Sequence, residues 1–251
     1  MAYHMLLFLI VFLPAVVILY QLAGKKFRPM VLLAAGYVFF FSFSRWLFVY
    51  LIGATAGMYF TGIGIEKYQC IFKEQKKGLD RAGAKELKKV FVGILFLAGT
   101  LLTVKYYNFF AENVTKIAAA LSVPAGLPQL DILQPIGISF YTLQGIGYLV
   151  DVYEGKIKAE RNFGKLALFM AFFPQIMEGP ISRYDQTADQ LYAGSRISVQ
   201  NLAMGGQRIF WGLLKKIVVA DRLNTMVGNI FSGYQYCDGA VIFVGAAAYT
   251  L

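Results

Sequence analysis

Two segments place residues capable of chemistry where the surrounding sequence is almost wholly apolar. The first runs from Gln134 to Gln144, QPIGISFYTLQ. Pro135 and Gly137 loosen the start of a helix there. Ser139, Tyr141, Thr142 and Gln144 then carry hydroxyls and an amide into it, and polar groups in hydrocarbon need partners. These residues either join neighbouring helices by hydrogen bonds or wall a polar cavity. The second segment, FFPQIMEGPISRY over 172–184, holds Pro174 and Pro180, six residues apart, with Gln175 and Glu178 between them and Arg183 just beyond. Two prolines break a helix twice. An acid at the bilayer centre costs about 2.5–3.5 kcal/mol on insertion scales, so Glu178 must face a cavity or pair with a cation, Arg183 being the nearest. Either an interfacial Glu–Arg pair closes a broken helix end, or the two groups line a chamber. The candidate chamber-lining residues are therefore Ser139, Tyr141, Gln144, Gln175, Glu178 and Arg183.

No soluble-enzyme constellation accompanies them. GxSxG, P-loop, GxGxxG and HExxH patterns are all missing from the sequence. Cys70 and Cys237 have no metal-ligand spacing and cannot form a disulfide scaffold. The one histidine, His4, stands at the extreme N-terminus. No catalytic residue and no metal site are assigned within the chain.

The elements that must position these residues are membrane helices. Of 251 residues 58% are hydrophobic and only 15% charged, and the mean hydropathy is +0.57. A soluble domain has roughly 25% charged residues. The composition excludes a disordered chain, a coiled coil and an ordinary soluble enzyme. The net charge of +10 reads as basic loops beside anionic lipid rather than as a nucleic-acid surface, because no basic face is separable from the spans.

Hydropathy and the positive-inside rule predict an all-α, polytopic chain of about eight spans with broken or tilted helices, its N-terminus outside. The spans are 5–20, two within 30–65 joined by a tight turn at 43–46, 90–110, 133–150, 164–179, a short one at 202–214, and an incomplete one from 239 onward. Gly53 and Gly57 have the spacing of a close-packing motif, and 114–121 reads as a separate amphipathic piece. Residues 66–89 form a cytoplasmic loop with eight basic residues. This arrangement puts 18 of the 24 basic residues inside, and leaves Arg45, Lys116, Arg183 and Arg196 outside. Lys105 snorkels near the outer end of its span, in an aromatic belt. The cluster around 211–223 marks topology.

Four blocks resemble the membrane-bound O-acyltransferase family, its bacterial alginate O-acetylase and teichoic acid D-alanyltransferase branch in particular. They are KYYNFF (105–110), PIGISFYTLQGIGYLVDVY (135–153), residues 162–184 with FFPQIMEGPISRY, and WGLLKKIVVADRL (211–223). They occur in the family's order. The resemblance implies one transmembrane domain over 1–251 in a bacterial cytoplasmic membrane, the N-terminal part of a fold built around a chamber. It implies a cytoplasmic acyl donor, acetyl-CoA or an acyl carrier thioester, as co-substrate with no bound cofactor. The acceptor is an extracytoplasmic polysaccharide or a secreted transferase, and a carrier protein docks on the cytoplasmic side. The family's catalytic intramembrane histidine lies downstream of the last block, and His4 does not match it. The chain alone is therefore expected to be inactive. The alternatives are a non-catalytic docking subunit and, less favoured because no inverted repeat is visible, a transporter.

Overall fold

The structure is a computed structural model. It describes the backbone of residues 7–74, 81–121, 128–130, 135, 137–176 and 179–250. Their side chains are described as well, except at 44, 46, 68–74, 81–94, 96–97, 100–101 and 119.

All regular structure among the described residues is helical. A π-helical turn, Leu7–Phe12, leads into α1 (Leu13–Leu22). Then follow α2 (Arg28–Ser44), α3 (Phe48–Glu74), α4 (Arg81–Ala120), α5 (Ile138–Tyr153), α6 (Phe163–Ala171), α7 (Phe173–Ile176), α8 (Tyr184–Tyr192), α9 (Val199–Lys215), α10 (Asp221–Ser232) and α11 (Gly239–Tyr249). The chain divides into two compact units, Met1–Ser195 and Arg196–Leu251.

In the first unit the turn expected at 43–46 is present. Arg45–Leu47 is a single 3-10 turn between α2 and α3, entered with Arg45 at φ 36°. Phe48–Lys67 is long and apolar enough to cross a bilayer, and Leu7–Leu22 and Arg28–Phe43 are shorter apolar helices. Large apolar side chains such as Leu22, Phe27, Phe60 and Phe109 face outward. The packed centre holds Phe39, Leu51, Met58, Leu149, Leu166 and Met170. Glycines set the helix spacing. A Cβ on Gly145 of α5 would overlap the Met58 side chain of α3, and one on Gly62 would come within 3.0 Å of the Tyr148 hydroxyl. Gly53, from the expected packing motif, meets nothing within 4 Å among the described residues.

Two sequence boundaries are corrected. The 66–89 loop is helical for most of its length: α3 runs on to Glu74 and α4 starts at Arg81. Between Glu66 and Glu74 and again from Arg81 to Lys89 no proline stops a helix, and Lys, Glu, Ala and Leu propagate one. The amphipathic piece at 114–121 is the end of the continuous 40-residue α4, not a separate element.

The sixth span, 164–179, is corrected more deeply. α6 has nine residues, about 14 Å of helix, and Leu166–Ala171 are all buried. It stops at Phe172, whose backbone is extended (ψ 103°). Pro174 explains the stop: it has no N–H for the Met170 carbonyl, and its ring would clash with that oxygen in a continuous helix. The chain then returns to the end of the bundle from which it came. Arg183 bonds Asp151 at the end of α5, Tyr184 bonds Glu160 in the α5–α6 linker, and Lys165 at the start of α6 pairs with Asp189 of α8. Tyr20 donates to the Ser195 carbonyl and Arg28 to that of Gly194. The segment from α6 to Arg183 is therefore a re-entrant hairpin, and Arg183 shares an end with the α1–α2 turn rather than lying opposite it.

In the second unit α9, a single π-helical turn at Lys216–Ala220 and α10 run without a break, so the span expected at 202–214 does not end at Leu214. Ser198 caps α9 by accepting from the Asn201 N–H (3.1 Å). α9 and α10 are amphipathic, α9 has no buried residue, and α11 is short and apolar. Cys237 is a free thiol, and the side chain of Cys70 lies outside the described residues.

Candidate functional site: a re-entrant hairpin against α5

The hairpin meets α5 over much of its length. At its tip, the Ile176 carbonyl oxygen lies where a Cβ on Gly137 would be. Gly137 adopts φ 71°, a left-handed conformation that glycine takes without the cost of a side chain. It starts α5 one residue before Ile138 and accepts from the Tyr141 N–H at 3.1 Å. The far end of α6 is held similarly: a Cβ on Gly36 of α2 would overlap the Ala171 carbonyl oxygen. From Gly137 to Asp151 is 14 residues of α5, about 21 Å. Seven residues carry the chain from Ile176 back to Arg183, enough to cover that distance when extended. The hairpin tip therefore lies by the start of α5, about 21 Å from the mouth.

The breaks leave helix carbonyls without helical donors, and side chains take their place. Gln144, buried on α5, donates from Nε2 to the Phe169 carbonyl at 3.2 Å. This is the helix-joining role, not a cavity role. Ser139 Oγ is contacted by Lys105 Nζ of α4 at 2.9 Å, and the Lys105 ammonium also lies 5.4 Å from the Tyr106 ring. Lys105 is exposed on α4 one turn before Asn108, which grips Leu130 by both backbone groups (2.7 and 3.0 Å).

Two candidates differ from these. Tyr141 is 2% exposed and its hydroxyl has no hydrogen-bond partner among the described residues, and the Oε1 of Gln175 on α7 is likewise buried and unpaired among them. An orphaned buried polar atom costs about 1–3 kcal/mol. Both lie at the hairpin tip: Tyr141 one helical turn along α5 from Gly137, and Gln175 next to Ile176, whose carbonyl touches Gly137. A phenol can donate and an amide oxygen can accept, so each can bond a polar group that reaches it.

Arg183 is not at the tip. Its guanidinium donates to Asp151 Oδ1 at 3.0 Å, and Asp185 lies 3.9 Å away. Asp151 is buried, and Lys156 approaches it at 3.7 Å. Glu178 and His4 lie outside the described residues. Of the candidates, Gln144 bonds α6 of the hairpin, Gln175 lies next to its tip and Tyr141 on the adjoining first turn of α5, Ser139 bonds Lys105 of α4, and Arg183 stands at the mouth.

The mouth carries a network that sequence reasoning missed. Glu160 accepts from the Tyr184 hydroxyl (2.6 Å), the Asn162 N–H (2.8 Å) and Lys165 (3.1 Å). Lys165 also reaches Asp189 (2.5 Å), and Arg161 bonds Glu66 (2.6 Å). Burial works to raise the Glu160 carboxyl, but these hydrogen bonds outweigh it and hold its pKa below the ordinary value. Burial, followed by donation to Glu160, pushes the Tyr184 phenol up. The charges were readable from the sequence, and Glu160 and Lys165 are only five residues apart, but the partners Tyr184, Asp189 and Glu66 are 24 to 95 residues away, where no local spacing pairs them.

No family model and no solved structure matches the chain. Curated relatives do. A protein named probable alginate O-acetylase from Pseudomonas aeruginosa is 32% identical over 244 residues, 97% of this chain and 44% of that protein. A peptidoglycan O-acetyltransferase from Helicobacter pylori is 27% identical over 86% of this chain and 44% of its own length. A teichoic acid D-alanyltransferase from Bacillus subtilis is 27% identical over 49% of this chain and 35% of its own length. The chain spans less than half the length of the curated relatives it matches. These relatives are acyltransferases by name, and similarity to them over up to 97% of the chain bears out the resemblance to the membrane-bound O-acyltransferase family.

Proposed function

We propose that the chain is part of an O-acyltransferase of the bacterial cytoplasmic membrane. It moves an acyl group, acetyl in this reading, from a cytoplasmic thioester to a hydroxyl of an extracytoplasmic cell-wall polymer or exopolysaccharide. The observation that carries the reading is the alignment of 97% of the chain with a relative named for alginate O-acetylation. In the reaction the acceptor oxygen attacks the thioester carbonyl, the C–O bond forms and the C–S bond breaks. The hydroxyl proton passes to a base and the thiolate leaves toward the cytoplasm. No residue of 1–251 is assigned as that base. What these residues do is bind and orient: Gln175 Oε1 accepts from a hydroxyl, and the Tyr141 phenol donates to an oxygen.

The topology in this reading is multi-pass with the N-terminus outside. α1 to α5 and α11 cross, α6–α7 enters and returns on the cytoplasmic side, and α9–α10 lies in the inner interface as its amphipathic pattern suits. Arg183 and Arg196 then join the inside charges, leaving Arg45 and Lys116 outside, which sharpens the positive-inside bias. The basic residues between 66 and 89 meet the acyl donor or its carrier protein. A secreted transferase or the polymer itself is met outside, and no nucleic acid is involved.

The test uses inverted membrane vesicles from cells making the intact protein, given labelled acetyl-CoA or an acetylated carrier protein. Base-labile acetyl ester on enclosed polymer is expected, with none in vesicles lacking the protein or holding only residues 1–251. Absence of ester with both donors would overturn the reading, as would donor-independent solute flux through the reconstituted protein.

A further inference from the structure

We propose that the groove between α1 and α2 seats one acyl chain of an anionic phospholipid, whose phosphate is received by Lys25 and Lys26. The inference rests on the membrane reading above, with the α1–α2 turn at the cytoplasmic face. The groove has a volume of about 600 Å³ and is walled by apolar side chains alone, among them Phe12, Val16 and Leu19 on one side and Val31, Ala34 and Val38 on the other. Alanines at 15, 34 and 35 leave the room that larger residues would fill. From Phe12 to Ala23 the first helix rises about 16 Å, half of the roughly 30 Å hydrocarbon core. The groove is therefore one leaflet deep, the reach of a single lipid chain.

Its mouth is charged. Lys25 and Lys26 are exposed in the turn that follows Leu22 and Ala23, and neither has an ion-pair partner among the described residues. That turn is fixed in place. The buried Arg28 donates to the carbonyls of Tyr20 (3.2 Å), Ala23 (3.2 Å) and Gly194 (2.8 Å), and its guanidinium lies 5.5 Å from the Tyr20 ring. Arg28 is thus spent on holding the turn, while the two lysines beside it remain available. Two cations at the open end of a one-leaflet apolar groove complement a chain and an anionic headgroup together, and each lysine adds attraction for anionic lipid at the cytoplasmic surface.

Native mass spectrometry of the delipidated full-length protein, titrated with phosphatidylglycerol or with phosphatidylcholine of the same chains, tests this. The first lipid bound is expected to be phosphatidylglycerol, at a concentration lower by about tenfold or more. Lys25→Gln with Lys26→Gln, both surface changes, should bring the two lipids within about twofold of each other. Ala34→Phe should lower binding of both by filling the groove. Equal binding of the two lipids by the unaltered protein, or a preference unchanged in the double lysine variant, would overturn the proposal. Carbonate extraction of native membranes separates the two ways of failing. A protein released by carbonate sinks the membrane reading itself, whereas a retained protein without lipid preference sinks only the lipid site.

Discussion

At the scale of single residues, the two orphaned atoms at the hairpin tip separate stability from function. Tyr141 holds a buried hydroxyl that bonds nothing among the described residues, so removing it relieves a cost of about 1–3 kcal/mol. Tyr141→Phe should therefore leave the melting temperature unchanged or raise it, while lowering acyl transfer. Thermal unfolding and the transfer assay on the same preparation check both signs. Gln144 gives the opposite expectation, because its amide satisfies the Phe169 carbonyl. Gln144→Leu should destabilise by about 1–3 kcal/mol as seen in thermal unfolding. The Glu160 cluster sets a pH dependence. Its carboxyl is held below the ordinary value of 4.5 in the folded protein, so the unfolded state binds the proton more readily. Its stabilising contribution is full above pH 4.5 and is lost as the pH falls through the lower folded value. Tyr184→Phe should flatten that acid limb and cost about 1.5–3 kcal/mol, the size of a hydrogen bond to a charged group. Acid titrations of unfolding for the two proteins give the comparison.

At the scale of elements, the sequence exposed what is local and hid what depends on direction. The turn at 43–46, the polar start of α5 and the break caused by Pro174 all follow from residue types, and the structure has them. The hairpin was read as a span because sixteen largely apolar residues satisfy hydropathy whether the chain crosses or returns. Hydropathy measures the preference for leaving water and carries no information about direction. Only the long-range bonds from Asp151 to Arg183 and from Lys165 to Asp189 reveal the return. The packing glycines were hidden for a related reason. Gly36, Gly62 and Gly145 matter because of what lies opposite, Ala171, Tyr148 and Met58, and none of the three belongs to the Gly53/Gly57 motif. Gly36→Val should press on the Ala171 carbonyl and cost about 1–3 kcal/mol or more as overpacking, whereas Gly53→Val, with nothing within 4 Å among the described residues, should be close to neutral. Unfolding of the two variants side by side would show the difference.

At the scale of the molecule, one end of the first unit is rich in charge and the other holds the α2–α3 turn and the Lys105–Ser139 contact. α1, α3 and α5 arrive at the charged end and α2 leaves from it. The re-entrant hairpin starts and finishes there, and its tip takes Gln175 to the depth where Tyr141 waits. In the proposed function, that arrangement would supply a polar contact point at the hairpin tip without an extra crossing. Cysteine accessibility in sealed right-side-out and inverted vesicles measures it most directly, with the full-length protein carrying Lys26→Cys, Gln129→Cys or Asp189→Cys on a background without its own cysteines. Position 189 should label from the same side as position 26 and from the opposite side to position 129. Labelling of 189 from the side of 129 would mean that 164–179 crosses the membrane, and would contradict the hairpin and the site built on it.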